Sequence, residues 1–202
     1  MQRWKTAVPM LLLCLLLSAC SGTEDRMQEA LHFRTDLLEA SECSFTAEIT
    51  AQGDSEIFEC TLDCVVHQDG TATVTVVEPE EIAGISATVS KEGTRVVFDG
   101  LELDCGDLRG SVTPVGAPGL LHAAWTGGYI AAAGSEDGTT MTRYLLGSGD
   151  AERQVDTWFT TDGRPALCEV FENGQLVLDC QLSSWNLTST EIAHVEPGGS
   201  IE

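Results

Sequence analysis

Hydrophobic and polar positions change period once along this chain. From about Asp25 to Ala40 the apolar residues Met27, Ala30, Leu31, Leu37 and Leu38 recur at helical spacing, behind Glu24 and Asp25. Acids suit a helix N-terminus, so the pattern predicts one amphipathic helix. After it the period falls to two. Phe45, Ala47, Ile49 and Ala51 alternate with Ser44, Thr46, Glu48 and Thr50. Phe58, Cys60, Leu62, Cys64 and Val66 alternate with Glu59, Thr61, Asp63 and Val65, and Ala72, Val74 and Val76 with threonines. Weaker alternation runs through Ala83–Ser90, Thr94–Phe98 and Leu101–Cys105. Each run reads as a strand with one face in a core and one in water.

Turn signals punctuate the runs: Asp69-Gly70, Glu92-Gly93, Asp99-Gly100, Asp137-Gly138, Asp162-Gly163 and Asn173-Gly174. Such pairs supply the positive φ of tight hairpins. The connections are too short for parallel crossovers, so the sheet should be antiparallel and meandering. At Asn173-Gly174 a three-residue loop with a bulge, pairing Phe171 with Gln175, puts Cys168, Val170, Leu176, Leu178 and Cys180 on one apolar face. Residues 117–133 break the pattern. They are alanine-rich and apolar, cut by Gly127-Gly128, and read as two short helices or a helix and a loop. Strands return at Thr139–Leu146, Arg153–Thr161, Arg164–Val170 and Gln175–Asn186.

Charge narrows the function classes. The 202 residues carry a formal net charge of −22. Such a chain repels nucleic acid and anionic lipid head groups, which excludes nucleic acid as a partner. The acids sit on alternating strand positions, as a solvated surface or as a docking face for a basic partner or for divalent cations. The first residues add an address. A basic head (Arg3, Lys5) precedes an apolar run from Ala7 to Leu17, too short for a mature membrane span, which needs about 20 residues. That is the form of a secretory signal. Leu17-Ser18-Ala19-Cys20 ends it and resembles the lipobox of bacterial lipoproteins. The resemblance implies cleavage before Cys20, a diacylglycerol thioether on Cys20 and often a further acyl group such as palmitate on its amine. The expected organisation is a signal peptide over 1–19, a lipidated tether over 20–25, one domain over 26–187 and a frayed acidic tail over 188–202. The protein would lie outside the cytoplasm, lipid-anchored to the cell membrane.

The order of elements carries a second resemblance. A lipobox, a helix, about six strands, a helical insert and about four strands are similar to the lipoprotein-carrier superfamily, LolA/LolB-like, with the mycobacterial lipid-carrying lipoproteins. The local echo is Phe159-Thr160-Thr161-Asp162-Gly163-Arg164-Pro165-Ala166, a strand, then Glu172-Asn173-Gly174-Gln175. Among Gram-positive members the chain looks most like clostridial spore-germination lipoproteins. The resemblance implies an α+β, mostly β fold. This is an incomplete antiparallel β-barrel of about ten strands, with an N-terminal helix and a short helical insert plugging its concave face. Carriers of this kind bind acyl chains in an apolar cavity. Here Leu120, Leu121, Trp125, Tyr129 and Ile130 would line that cavity or simply plug the barrel.

Chemistry is scarce. Besides Cys14 and Cys20 the chain holds Cys43, Cys60, Cys64, Cys105, Cys168 and Cys180, each on the apolar side of its strand's alternation. Export invites disulfides. Reduced thiols packed as small hydrophobes are the alternative. Cys60 and Cys64 lie four apart on one strand, about 13 Å between α-carbons. A disulfide tolerates less than about 7 Å. Zinc bonds to sulfur at about 2.3 Å, so the pair also fails as a metal site. Cys168 and Cys180 lie on neighbouring strands, displaced diagonally, where a bridge is possible. His32, His67, His122 and His194 show no metal-pair spacing, and there is no nucleophile elbow and no phosphate loop. The sequence names no catalytic residue, metal or cofactor. It points to a non-catalytic lipoprotein binding a lipid or lipidated protein in a half-barrel cavity. The alternative is a plugged barrel that docks an envelope, sporulation or germination protein.

Overall fold

The computed structural model describes residues 21–53, 56–136 and 138–189. The expected signal peptide, Cys20 and residues 190–202 of the expected 188–202 tail lie outside the described residues, whereas residues 188 and 189 belong to the last strand.

Helix α1 (Ser21–Glu39) starts earlier than the pattern suggested, so residues 21–25 are helix rather than extended tether. Its buried stripe is Ala30, Phe33 and Leu37, with Leu31 and Leu38 exposed at 48 % and 47 %. The stripe is narrow because α1 meets the sheet along one line only; Phe33 carries it and Leu31 does not.

Eleven antiparallel strands follow, one more than expected. β1 (Ala40–Gln52), β2 (Ile57–His67), β3 (Ala72–Glu78), β4 (Ser86–Ser90), β5 (Gly93–Phe98) and β6 (Leu101–Asp104) form one meander. Helix α2 (Ala117–Gly127) intervenes. Then β7 (Tyr129–Glu136), β8 (Thr139–Leu146), β9 (Arg153–Phe159), β10 (Pro165–Glu172) and β11 (Gln175–Ser189) form the second. β1 pairs with β11 and joins the meanders into one open sheet running from β6 to β7. The fold is a mostly β, α+β half barrel that does not close.

Two expectations are corrected. First, residues 129–136 are neither helix nor loop. They form strand β7, with Ala132 opposite Arg143 and Ala133 opposite Thr142. Alanine's helix preference is overridden because the chain must turn sharply after α2. Gly128 sits where a Cβ would lie 2.5 Å from the Ala124 carbonyl oxygen, and β8 then offers a free edge to pair with.

Second, the last hairpin has a two-residue turn. Asn173 and Gly174 both have positive φ (53° and 76°), and Glu172 pairs with Gln175. The extra residue is taken up one step later, between Val170 and Phe171. Cys168, Val170, Leu178 and Cys180 are buried on one face as expected, but Leu176 is only half-buried and Val177 packs against the core in its place. The shift also puts Cys168 directly opposite Cys180 rather than diagonal to it.

The concave face is filled. Phe33 from α1, Trp125 from α2 and Phe45, Phe159 and Trp185 from the sheet form one aromatic cluster, with ring centroids 5.1–6.2 Å apart. Edge-to-face and offset contacts of this kind add to the burial each ring already brings.

Candidate functional site

The five lining candidates divide. Leu120, Leu121 and Trp125 are buried on α2 and fill the half barrel. Tyr129 is 71 % exposed on β7, and Ile130 packs half-buried against the core. They do not meet around one cavity.

The space lies to one side of them. Between the first turns of α1 and the ends of β8, β9 and β10 is a cleft of about 670 Å³. Its apolar wall is Ala30, Phe33, Phe159 and Ala166, and its rim is Arg26, Glu29, Thr139, Thr140, Thr160 and Thr161. Arg26 Nη1 donates to Glu29 Oε2 at 2.7 Å and to Thr140 Oγ1 at 2.8 Å, which ties α1 to the β7–β8 hairpin. The rim cation is thereby neutralised. The cleft offers hydroxyls and apolar carbon rather than net charge.

Thr142 stands at the base. It is fully buried, lines the cleft, and its Oγ1 has no hydrogen-bond partner among the described residues. The sheet register explains why. One row of the inner face runs Cys60, Ile49, Cys180, Cys168, Thr157 and Thr142 across six strands. Thr157 Oγ1 takes the Trp125 indole N–H at 3.0 Å and lies 3.5 Å from Cys168 Sγ. No partner lies within hydrogen-bonding distance of Thr142 Oγ1 among the described residues, although Tyr144, two residues on along the same face, brings its hydroxyl close enough for Thr142 to oppose the rise that burial gives the phenol's pKa. An orphaned buried hydroxyl costs about 1–3 kcal/mol unless a ligand or water completes it. Its neighbour Tyr144 OH is likewise buried and unpartnered. Burial pushes that phenol well above its ordinary range, with Arg34 over the ring at 5.8 Å opposing.

All six described cysteines are free thiols. Cys105 departs from expectation: it follows β6, is exposed, and packs on no apolar face. Burial pushes the others up, Cys43 and Cys168 to about 12 and Cys60 to about 11, so they are protonated and unreactive at neutral pH. His122 lines a second, smaller cavity of about 370 Å³, and burial holds its imidazole below the ordinary 6.5. Among the described residues no three His, Cys, Asp or Glu side chains converge as metal ligands. Nor is any described helix long and apolar enough to cross a membrane.

No family model matches the sequence, and no curated protein matches it. Among solved structures the chain is similar to a LolA superfamily protein from Nitrosomonas europaea. The two are 12 % identical over 79 % of this chain and 94 % of that one, with TM-score 0.47. It is similar to lipoprotein LppX from Mycobacterium tuberculosis (15 % identity, 80 % and 93 % covered, TM-score 0.43). It is also similar to LprF from Mycobacterium bovis (13 % identity, 89 % and 100 % covered, TM-score 0.45).

Sequence reasoning missed the cleft. Its threonines fall on β8 and on the β9–β10 turn, and only the folded structure brings them together beside α1.

Proposed function

We propose that this chain is a non-catalytic, extracytoplasmic lipoprotein, anchored through Cys20, that binds a lipid or the acyl group of a lipidated protein in the cleft between α1 and β8–β10. The observation that carries the reading is the cleft of about 670 Å³ walled by Ala30, Phe33, Phe159 and Ala166, with the Thr142 side chain at its base. The volume falls within the roughly 300–1,000 Å³ usual for small-ligand sites. The lipobox supports the anchor. Because α1 begins at Ser21, Arg26 on the cleft rim lies only about 8 Å along the helix from it. The anchor would hold the cleft mouth close to the membrane that supplies its ligand.

Native mass spectrometry of protein extracted in mild detergent should show a bound lipid, and a fluorescent fatty acid should bind saturably. Ala166→Trp fills the cleft and should abolish both. Thr142→Val should stabilise the empty protein, by removing the orphaned hydroxyl, while weakening the probe. A ligand-free protein with no saturable probe binding overturns the reading. Cys20→Ala should release the protein from the membrane fraction; unchanged retention overturns the anchor.

A second reading, an interaction module for an envelope protein, is favoured by the concave face, which Leu120, Leu121 and Trp125 of α2 fill against the sheet. Crosslinking in cells should then capture a protein; recovery of lipid alone counts against it.

A further inference from the structure

The two ends of the open sheet are unlike. β7 lies against α1. β6 has an outer edge with no backbone partner among the described residues. All four of its residues are exposed. Seven of the ten large apolar side chains left exposed among the described residues lie on β2, β3, β5 and β6.

The register orders this surface. Val96 is opposite Leu103, and Phe98 is opposite Leu101. Val96 packs against the core. Phe98, Leu101 and Leu103 therefore continue the core face of the sheet, yet Leu101 is 75 % and Leu103 64 % exposed. Glu102 and Asp104 alternate with them and belong to the other face. Arg95 Nε meets Glu102 Oε1 at 2.6 Å. Between Glu78 and Asp107 the sequence has eight acids and two bases.

We propose that β6 is a docking edge for an extended segment of a partner protein in which apolar and basic residues alternate. An added strand takes up the free N–H and C=O groups of β6, while alternate side chains set specificity. Its apolar side chains cover Leu101 and Leu103 on the core face; its basic ones lie beside Glu102 and Asp104 on the other. A second copy of β6 that continued the sheet would set acid opposite acid, which is destabilising. Short, charged edge strands block stray pairing. Here both charges on β6 are acidic; Arg95 on β5 answers Glu102, and Asp104 meets no cation among the described residues, so the edge turns away acidic strands and admits basic ones. This inference deepens the interaction reading and is independent of what the cleft holds.

The test titrates a fluorescein-labelled peptide of about ten residues, alternating valine and lysine, into the full chain. A block peptide of the same composition serves as control. The alternating peptide should bind saturably and more weakly as salt rises. Amide exchange across residues 101–104 should slow on binding. The double variants Glu102→Lys/Asp104→Lys and Leu101→Ser/Leu103→Ser should each weaken binding by about tenfold or more. All four positions are exposed, and circular dichroism checks the fold; Glu102→Gln/Asp104→Asn is the milder variant should charge reversal disturb it. No saturable binding, equal affinity for the block peptide, or variants that bind like the parent overturns the proposal. So does a dimer in sedimentation that Leu101→Ser/Leu103→Ser abolishes, since the occupant is then a second copy. A crosslinked partner captured equally by the charge-reversed chain keeps the interaction reading and overturns β6 as its site.

Discussion

Single residues reveal their roles here through what stands opposite them. Glu169 on β10 faces Asp156 on β9 and Asp179 on β11, so three carboxylates form one row on the outer face. Asp156 is buried but answered: Arg143 donates to both its oxygens, at 2.8 and 2.7 Å. Glu169 has no such cation. Burial first, and then Asp179 and Asp156, raise its pKa above the ordinary 4.5, and burial raises Asp179 above 3.8. A carboxyl whose folded pKa exceeds its unfolded one favours the native state only while protonated. Its cost is absent below the unfolded value and grows as pH rises through 4.5 towards the raised folded value. Glu169→Gln should therefore stabilise the protein at pH 7 by about 0.5–1 kcal/mol and do nothing near pH 3.5. Urea melts at both pH values check this; equal effects at both would show that the charge is not the cause. Thiols follow the same logic of surroundings. Exposed Cys105 should alkylate ahead of the five buried thiols, as timed mass spectrometry of iodoacetamide-treated native protein would read.

At the scale of elements, legibility depended on how strongly side chains mark a period. β1 and β2 were plain because Phe45, Ile49, Cys60 and Leu62 alternate with acids and threonines, and their pairing runs unbroken from Glu42–His67 to Gln52–Ile57. β7 was hidden because Ala131, Ala132 and Ala133 mark neither face. The half-barrel architecture came through from element order, whereas the cleft depended on a register that no run of residues encodes. The turn from α2 into β7 rests on one backbone approach. At Gly128 an added Cβ would press on the Ala124 carbonyl oxygen, the acceptor of Gly128's own N–H at 2.9 Å. Gly119, inside α2, has nothing within 4 Å of an added Cβ. Gly128→Ala should cost about 1–3 kcal/mol through forced backbone shifts. Gly119→Ala should add about 0.4–1 kcal/mol by restricting the unfolded chain. Thermal melts of the two variants should move in opposite directions; a shared direction would show that helix propensity, not the close approach, governs this turn.

For the whole molecule the question is whether local ion pairs or global repulsion sets the response to salt. Arg26, Arg95, Arg109, Arg143, Arg153 and Arg164 each meet a carboxylate within 4 Å, and Arg34 donates to the Trp125 and Gly128 carbonyls. Most of these pairs are at least partly exposed, so each contributes about 0–1 kcal/mol, and screening removes only that. Against them stands a net charge of −22. Folding draws those acids together, and repulsion at that density opposes the compact state. Salt shortens the reach of repulsion to about 8 Å at physiological strength, so repulsion between acids farther apart than that is largely screened. The repulsion should therefore lose more than the pairs do. The melting temperature should rise when sodium chloride is increased from about 10 mM to about 200 mM, by a few degrees for a chain of this length. A melting temperature that falls would mean that the arginine pairs, Arg143–Asp156 foremost, outweigh the rest of the surface. The expected sign also fits a protein whose charge keeps its sheet away from anionic head groups. Its membrane contact would then rest on the anchor proposed at Cys20 rather than on the surface of the domain.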